Sequence, residues 1–281
     1  MNDIISKLNN IRIEITFKSY DELRLILSFC QENNLYKINI PCKNNLKKDF
    51  LLGSIKICKN EFSNIDIIPH FSIFHEFRRN RLNTQNAFIE FLIFVRYIGC
   101  NQVLLVSGSQ KRSTLDSVSA LYQIKDMPLF QKNDFSIGVA FNPYLQDYLF
   151  EEEILRLKEK LESDVVTSIW LQFGTDYKLL ESRILIIKNI IYSYINENPK
   201  ISEIMLFGSI LIPSKQFLSR FKYRPWKGVY CSLDFLESVE LANNLVAKLL
   251  KIYWQYKIQP IIETNVSTKE QLNSLNMILN L

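Results

Sequence analysis

The alternation of short β-rich runs with longer amphipathic runs is the feature that most limits how this chain can fold. About eight strand–helix units follow one another, with no linker, low-complexity tract or internal repeat between them. Strict alternation is typical of parallel βαβ topology, because neighbouring parallel strands need a crossover, which is usually a helix. The predicted strands cover residues 11–17, 37–41, 66–73, 102–108, 136–141, 167–173, 204–211 and 258–263. The predicted helices cover residues 21–32, 47–60, 83–98, 114–124, 151–162, 179–196, 215–220 and 235–256.

Two architectures satisfy this alternation: a closed (β/α)8 barrel and an open doubly wound sheet. An open sheet that binds a dinucleotide usually carries a G-x-G-x-x-G turn after its first strand. The first strand here ends in Thr16-Phe17-Lys18-Ser19, which contains no glycine. We therefore predict a single α/β domain over residues 1–281, folded as a (β/α)8 TIM barrel. In that fold, active sites lie at the carboxyl ends of the strands.

Composition and charge argue against several classes of protein. Apolar residues make up 47% of the chain and charged residues 22%, which is an ordinary globular balance. The net charge of +5 is spread along the sequence rather than gathered in a basic stripe, so we expect no nucleic-acid partner. The apolar runs are short or interrupted by charges, so we expect no membrane association. The five cysteines lack zinc or C-x-x-C spacing, and the start lacks a signal-peptide pattern, which favours buried reduced thiols and a cytoplasmic location.

Glu14 is the first candidate for chemistry, because it interrupts an apolar strand. Alternation places Arg12, Glu14 and Thr16 on one face, while the isoleucines take the other face, against the helices. Glu14 should therefore point into the barrel. Burial disfavours the charged form of a carboxyl group, and a carboxyl group that keeps its proton is suited to general acid catalysis. The alternative is a structural ion pair between Arg12 and Glu14.

Three further positions lie at or near predicted strand ends. Gln172 ends strand six, and its amide offers a donor and an acceptor that match the edge of a pterin or a flavin; the alternative is a glutamine satisfied by loop backbone. His70 lies inside strand three, where a lone histidine is more often a hydrogen-bonded core residue, so we leave open only a cofactor contact. Gly108 ends strand four and would let a planar ligand approach the backbone closely. The irregular residues 223–232 are interpreted as a functional loop over the barrel mouth.

An ordered series of short matches, running over nearly the whole chain, resembles the methylenetetrahydrofolate reductases, which are flavin-dependent TIM barrels. The strand-one glutamate of that family stands in a Phe-Glu-Phe-Phe context, similar to residues 13–17 here, and strand three carries Pro-His, as in Pro69-His70. Residues 104–109 resemble a leucine-rich run that closes on Gly-Asp, and residues 139–143 resemble Val-Ala-x-x-Pro. Residues 157–160 are similar to Leu-Lys-x-Lys, and Gln172-Phe173 matches a Gln-Phe at the end of strand six.

The resemblance implies an oxidoreductase of one-carbon metabolism and methionine biosynthesis. Such enzymes transfer a hydride from reduced FAD to methylenetetrahydrofolate, and NAD(P)H reloads the flavin. It implies that Glu14 is the general acid that helps to open the five-membered ring, that Gln172 binds the pterin and that Tyr230 covers the ligand. The cofactor-binding residues that it implies are His70, Gly108, Ser109, Ala140 and Lys160.

The chain departs from the family pattern at three places. Ser109 stands where the family has an aspartate, the flavin-contacting histidine is absent from residues 144–147, and the helix basic pair is Glu159-Lys160. Losing a group that stabilises charge in a transition state can cost several kcal/mol. We therefore keep three hypotheses: a reductase that works with or without FAD, a non-catalytic folate-binding or regulatory barrel, and a barrel enzyme of another class that acts on a different anionic substrate. A homo-oligomer is left open.

Overall fold

The chain closes into a parallel barrel of eight strands in order around the ring, with the last strand paired to the first. This computed structural model describes residues 7–42, 48–74, 81–107, 115–130, 135–199 and 201–281. The strands are β1 (Arg12–Glu14), β2 (Lys37–Ile40), β3 (Asp66–Ser72), β4 (Gln102–Val106), β5 (Ser136–Phe141), β6 (Val166–Leu171), β7 (Met205–Ile210) and β8 (Gln259–Ile262). Every neighbouring pair is parallel, so the predicted (β/α)8 barrel is confirmed and the open sheet is excluded.

Helices follow the strands and pack around the outside of the barrel. They are α1 (Tyr20–Glu32), α2 (Lys48–Glu61), α3 (Arg81–Tyr97), α4 (Ser117–Ile124), α5 (Asp147–Leu161), α6 (Tyr177–Glu197), α7 (Lys215–Tyr223), α8 (Leu233–Glu237), α9 (Val239–Gln255) and α10 (Lys269–Leu279). Local chemistry sets several of their ends. Ser19 accepts a hydrogen bond from the backbone N–H of Glu22 and so begins α1. Gly99 takes a φ of +86° just after α3, the left-handed conformation that commonly ends a helix.

Two differences from the predicted helices have clear causes. The predicted helix over residues 235–256 is divided into α8 and α9, because Ser238 is extended, with φ −148° and ψ 159°, and its side chain accepts from the backbone N–H of Leu241. Helix α10, after the last strand, was not predicted. It begins with a capping box, in which the Thr268 side chain accepts from Gln271 and the Gln271 side chain accepts from the Thr268 backbone.

The apolar core has two separate parts. The larger part lies between the strands and the helices and includes outward-facing strand residues such as Ile13 and Ile38. A small second cluster, with one residue from each of five strands, fills part of the barrel interior: Ile68, Leu104, Trp170, Phe207 and Ile261. Within it, the rings of Trp170 and Phe207 stack with centroids 3.9 Å apart and planes 10° apart. The remaining inward positions of β1, β2 and β3 are polar, and they lead to the candidate site.

Cys30, Cys58 and Cys100 are buried, as predicted, whereas Cys42 and Cys231 are only half-buried. Burial raises the pKa of the thiols of Cys30, Cys58, Cys100 and Cys231 to about 12. Because the thiolate is the nucleophile, only about one thiol in ten thousand would be ionised at pH 8, against roughly a quarter for an ordinary cysteine. We expect iodoacetamide at pH 8 to leave these four residues unmodified in the folded protein, as measured by peptide mass spectrometry. The same reaction in urea should label all of them, and rapid labelling of Cys58 or Cys100 without urea would contradict the structure.

Candidate functional site

A buried arginine occupies the interior beside the first three strands. Arg12 is 2% exposed and, from β1, donates to Oδ1 of Asn39 at 2.7 Å, to the carbonyl of Ile38 at 3.0 Å and to Oδ2 of Asp66 at 2.6 Å. Burial lowers the pKa of the Arg12 guanidinium, and the adjacent Asp66 carboxylate opposes that shift. The guanidinium is therefore turned toward β2 and β3. It does not form the ion pair with Glu14 that the sequence left open as an alternative.

The series of polar side-chain contacts continues from Asn39 to the mouth of the barrel. Nδ2 of Asn39 lies 2.8 Å from Nε2 of His70, and Nδ1 of His70 lies 4.0 Å from Oε2 of Glu14. Glu14 is the last residue of β1 and is 9% exposed, while His70 is 6% exposed. The structure thus brings together two residues that the sequence singled out, at the carboxyl ends of their strands. It adds Asn39, which sequence reasoning missed although it is a lone polar residue between two isoleucines, the same signal that identified Glu14.

Gln172 stands at the same end of the barrel, one residue beyond β6. Its backbone N–H donates to the carbonyl of Phe141 at 2.8 Å, which keeps it in line with the strand. Trp170 faces the interior, so alternation directs Gln172 to the same side at the mouth. Gln172 is half-buried, and none of the described residues hydrogen-bonds to its side-chain amide. Within the described part of the chain, no backbone group satisfies the amide.

Residues 224–232, here called the mouth segment, lie across the carboxyl ends of β5 and β6. Asn142 donates its amide to the carbonyl of Gly228 at 2.8 Å, and the backbone N–H of Thr175 donates to the carbonyl of Tyr230 at 3.0 Å. The N–H of Ser232 donates to Oγ1 of Thr175 at 2.7 Å. Tyr230 also forms a backbone bridge with Gly174, two residues beyond Gln172, and its side chain is 50% exposed. The predicted position of this loop at the mouth is confirmed, and Tyr230 lies at the strand end that carries Gln172.

Two of the residues that the family resemblance assigns to the cofactor, Ala140 and Lys160, contact each other. Ala140 lies near the end of β5, and the ammonium of Lys160, on α5, donates to the Ala140 carbonyl at 3.0 Å and lies 3.8 Å from Glu153. Lys160 is only 4% exposed, and burial lowers its pKa. The two residues are thus brought together, but by a hydrogen bond to the strand backbone. Gly108 and Ser109 lie outside the described residues.

The loop after β5 is held by a second buried arginine. Arg183 donates to the carbonyl of Pro143 at 2.5 Å, to the carbonyl of Leu145 at 2.6 Å and to Asp147 at 2.9 Å. Its guanidinium also lies 3.9 Å from the centre of the Phe150 ring. These contacts fix residues 143–147 from the side of α6. The family resemblance expects a flavin-contacting histidine in this segment.

The described residues contain neither a cluster of metal-binding side chains nor a helix that could span a membrane. In the ranges given above, no group of three or more His, Cys, Asp and Glu side chains is arranged to hold a metal ion. Among the described helices, none combines the length and the apolar character that a bilayer span needs.

Fold and site together define a (β/α)8 barrel with a polar site at the carboxyl ends of its strands. No protein-family model matches the chain, and no curated protein matches it in sequence. Among solved structures, an uncharacterised protein from Clostridium thermocellum that binds two copies of 5-methyl-5,6,7,8-tetrahydrofolic acid aligns with a TM-score of 0.61 at 11% identity, over 99% of this chain and 96% of its own. A 2,3-dimethylmalate lyase of the PEP mutase/isocitrate lyase superfamily aligns with a TM-score of 0.52 at 8% identity, over 98% of this chain and 80% of its own. At these identities the similarities establish the barrel fold.

The anchoring of the mouth segment gives a second prediction. Thr175→Val removes the acceptor for the N–H of Ser232 while keeping the shape of a side chain that is 2% exposed. Leaving a backbone donor without its partner costs about 1–3 kcal/mol. We expect trypsin to cleave the folded variant several times faster after Lys227, an exposed residue of the segment.

The matched control is Thr268→Val, which removes the N-cap of α10 at a cost of about 1 kcal/mol and does not touch the mouth segment. Cleavage after Lys227 should be unchanged in this control. Equal rates in the two variants would show that Thr175 does not hold the segment.

Proposed function

We propose that this chain binds a reduced folate at the barrel mouth and acts on it as a methylenetetrahydrofolate reductase-like oxidoreductase that uses NAD(P)H. The observation that carries the proposal is the buried Glu14 carboxyl group at the end of β1, 4.0 Å from His70. An acid placed in this way suits a reaction that needs a proton at neutral pH. The binding of a methylated reduced folate by a protein of similar fold supports the class of ligand.

The reaction requires one proton and one hydride. In 5,10-methylenetetrahydrofolate, a carbon bridges two nitrogens in a five-membered ring. Glu14 donates its proton to the nitrogen that leaves as the ring opens, which produces a cationic iminium carbon. The hydride from the reduced nicotinamide adds to that carbon and converts it into the methyl group of 5-methyltetrahydrofolate. The proton comes from the protein and the electron pair from NAD(P)H, so the step is balanced.

Gln172 and Tyr230 serve binding in this proposal. The Gln172 amide presents a donor and an acceptor together, which match the alternating donors and acceptors of a pterin edge. The backbone of Tyr230 is held near the end of β6 by the bridge to Gly174, and its half-exposed ring would offer an aromatic face to the ligand. Both groups are near the carboxyl end of one strand.

The described residues do not fit a flavin well. The family resemblance assigns Lys160 and the loop after Pro143 to contacts with the flavin. The Lys160 ammonium is already bound to the carbonyl of Ala140, and the loop after Pro143 is held by Arg183. We therefore route no step through FAD, and we propose that NAD(P)H supplies the hydride directly.

The second candidate is a folate-binding barrel without catalysis. The same engagement of Lys160 favours it, because a barrel that has lost its flavin contacts can still retain a pterin site. That function would need Gln172 and Tyr230 but would make no use of the acidity of Glu14.

One set of measurements tests both candidates. Thermal stabilisation and calorimetry with 5-methyltetrahydrofolate report binding, and formation of 5-methyltetrahydrofolate from the methylene compound with NADH or NADPH reports turnover. We expect both from the native protein. Folate binding without turnover would favour the second candidate, and the absence of binding by any reduced folate would exclude both.

Glu14→Gln tests the acid. The variant cannot donate the proton, so turnover should fall by roughly 10²–10⁴-fold while folate affinity stays within about twofold. The control is Glu203→Gln, an exposed glutamate before β7, which should keep full turnover. Full turnover in Glu14→Gln would refute the assignment of the acid.

Gln172→Leu tests the pterin contact. Removing the amide leaves polar ligand atoms without partners, which costs about 1–3 kcal/mol, so folate affinity should fall by about ten- to a hundredfold. Gln123→Leu, at an exposed position of α4, is the matched control. Calorimetry gives both dissociation constants, and equal values in the two variants would remove Gln172 from the site.

A further inference from the structure

We propose that Arg12 and Asn39 are positioning residues that lock His70 as the neutral Nδ1–H tautomer, with the protonated nitrogen 4.0 Å from Oε2 of Glu14. The assignment of the tautomer rests on the geometry of the described residues alone. Its consequence for Glu14 as an acid rests on the proposed function.

The first step concerns the orientation of the Asn39 amide. A guanidinium has only donors, so the atom that faces Nε of Arg12 at 2.7 Å must be the amide oxygen of Asn39. Arg12 is itself fixed, because Asp66 accepts at 2.6 Å and the carbonyl of Ile38 accepts at 3.0 Å. The amide cannot flip without placing its own donors against those of Arg12. Asn39 therefore presents its NH2 group to the other side.

The second step passes this orientation on to the histidine. The NH2 group of Asn39 lies 2.8 Å from Nε2 of His70, so Nε2 must accept and must carry no proton. A neutral imidazole with an accepting Nε2 has its proton on Nδ1. Protonating Nε2 would set two donors against each other in a site where His70 is 6% exposed. The ring is therefore held neutral, in one tautomer.

The surroundings of the ring leave this assignment in place. The charged groups that the described residues place along this series of contacts are Glu14, with Oε2 4.0 Å from Nδ1, Arg12 behind Asn39, Asp66 beyond Arg12, and Lys37, which interacts electrostatically with Arg12 and Asp66. From β4, His70 is paired in register with the apolar Leu104, and from β6 the His70 and Trp170 rings are arranged edge to face, with centroids 6.5 Å apart. The Glu14 carboxyl group lies near Nδ1, at more than hydrogen-bond distance.

The consequence for Glu14 follows from the charge of its neighbour. When Glu14 gives up a proton, an N–H directed at the new carboxylate stabilises it, which lowers the barrier to proton donation. A neutral donor stabilises the product of the transfer without placing a full positive charge beside Glu14.

The tautomer can be observed directly. The chain has two histidines, so His75→Gln in protein labelled with ¹⁵N-histidine leaves only the signals of His70. Long-range ¹H–¹⁵N correlation spectra should show Nε2 as an unprotonated nitrogen and Nδ1 as a protonated one, from about pH 6 to pH 8. The opposite tautomer, or an imidazolium at neutral pH, would overturn the proposal. This measurement needs no folate and no turnover.

Asn39→Asp separates positioning from simple structural support. Both oxygens of the new carboxylate accept, so one still binds Arg12 while the other requires a proton on Nε2. We expect the spectrum to show the opposite tautomer or the imidazolium, and kcat to fall at least tenfold, while the folate dissociation constant changes less than twofold. Asn273→Asp, at an exposed position of α10, makes the same chemical change and should alter neither the spectrum nor kcat.

Each outcome decides one part of the proposal. An Asn39→Asp spectrum that is identical to the native one would overturn the lock, and a changed spectrum with unchanged kcat would overturn its role in acid catalysis. If the native protein binds no folate and turns none over, the proposed function fails, whereas the tautomer assignment is still judged by the native spectrum. A protein that does bind and turn over folate, but shows Nε2 protonated, would disprove only the lock.

Discussion

The arrangement of the site depends on the hydrogen bonds that the buried guanidinium of Arg12 donates. A charged group inside a narrow barrel is tolerated only when its donors are satisfied, and here the partners come from β2 and β3. Satisfying Arg12 orients Asn39, and Asn39 orients His70. The register of the first three strands and the direction of the polar groups in the mouth are therefore parts of one arrangement. A slip of one residue in β2 would turn Asn39 out of the barrel and break the chain of contacts.

The barrel gathers groups that are far apart in the sequence. Parallel strands end on one side, so residues at or near the carboxyl ends of β1, β3 and β6 meet at one mouth. The mouth segment between α7 and α8 is bound to that edge through Asn142 and Thr175. The interior below is closed by apolar side chains, with Trp170 stacked on Phe207.

Much of this could be predicted from local patterns. Alternation of apolar and polar residues predicted the inward direction of Glu14, and the missing glycine motif correctly favoured the closed barrel over the open sheet. The break at Ser238 was missed, because the apolar periodicity of α8 runs on into α9 and hides a single extended residue. The contacts of Asn39 with Arg12 and His70, and of Lys160 with the Ala140 carbonyl, could not be predicted, because each depends on a partner in another element.

The sequence by itself determined the fold class, the inward face of the first strand and the candidates Glu14, His70 and Gln172, because these follow from periods of two and of about 3.6 residues within short segments. The tertiary structure alone decided the partners. Arg12 bonds to Asn39, 27 residues away, and to Asp66, 54 residues away, and not to the glutamate two positions along its own strand. Hydrogen-bond partners across a barrel are set by the stagger of its strands, and that stagger exists only once the sheet has closed.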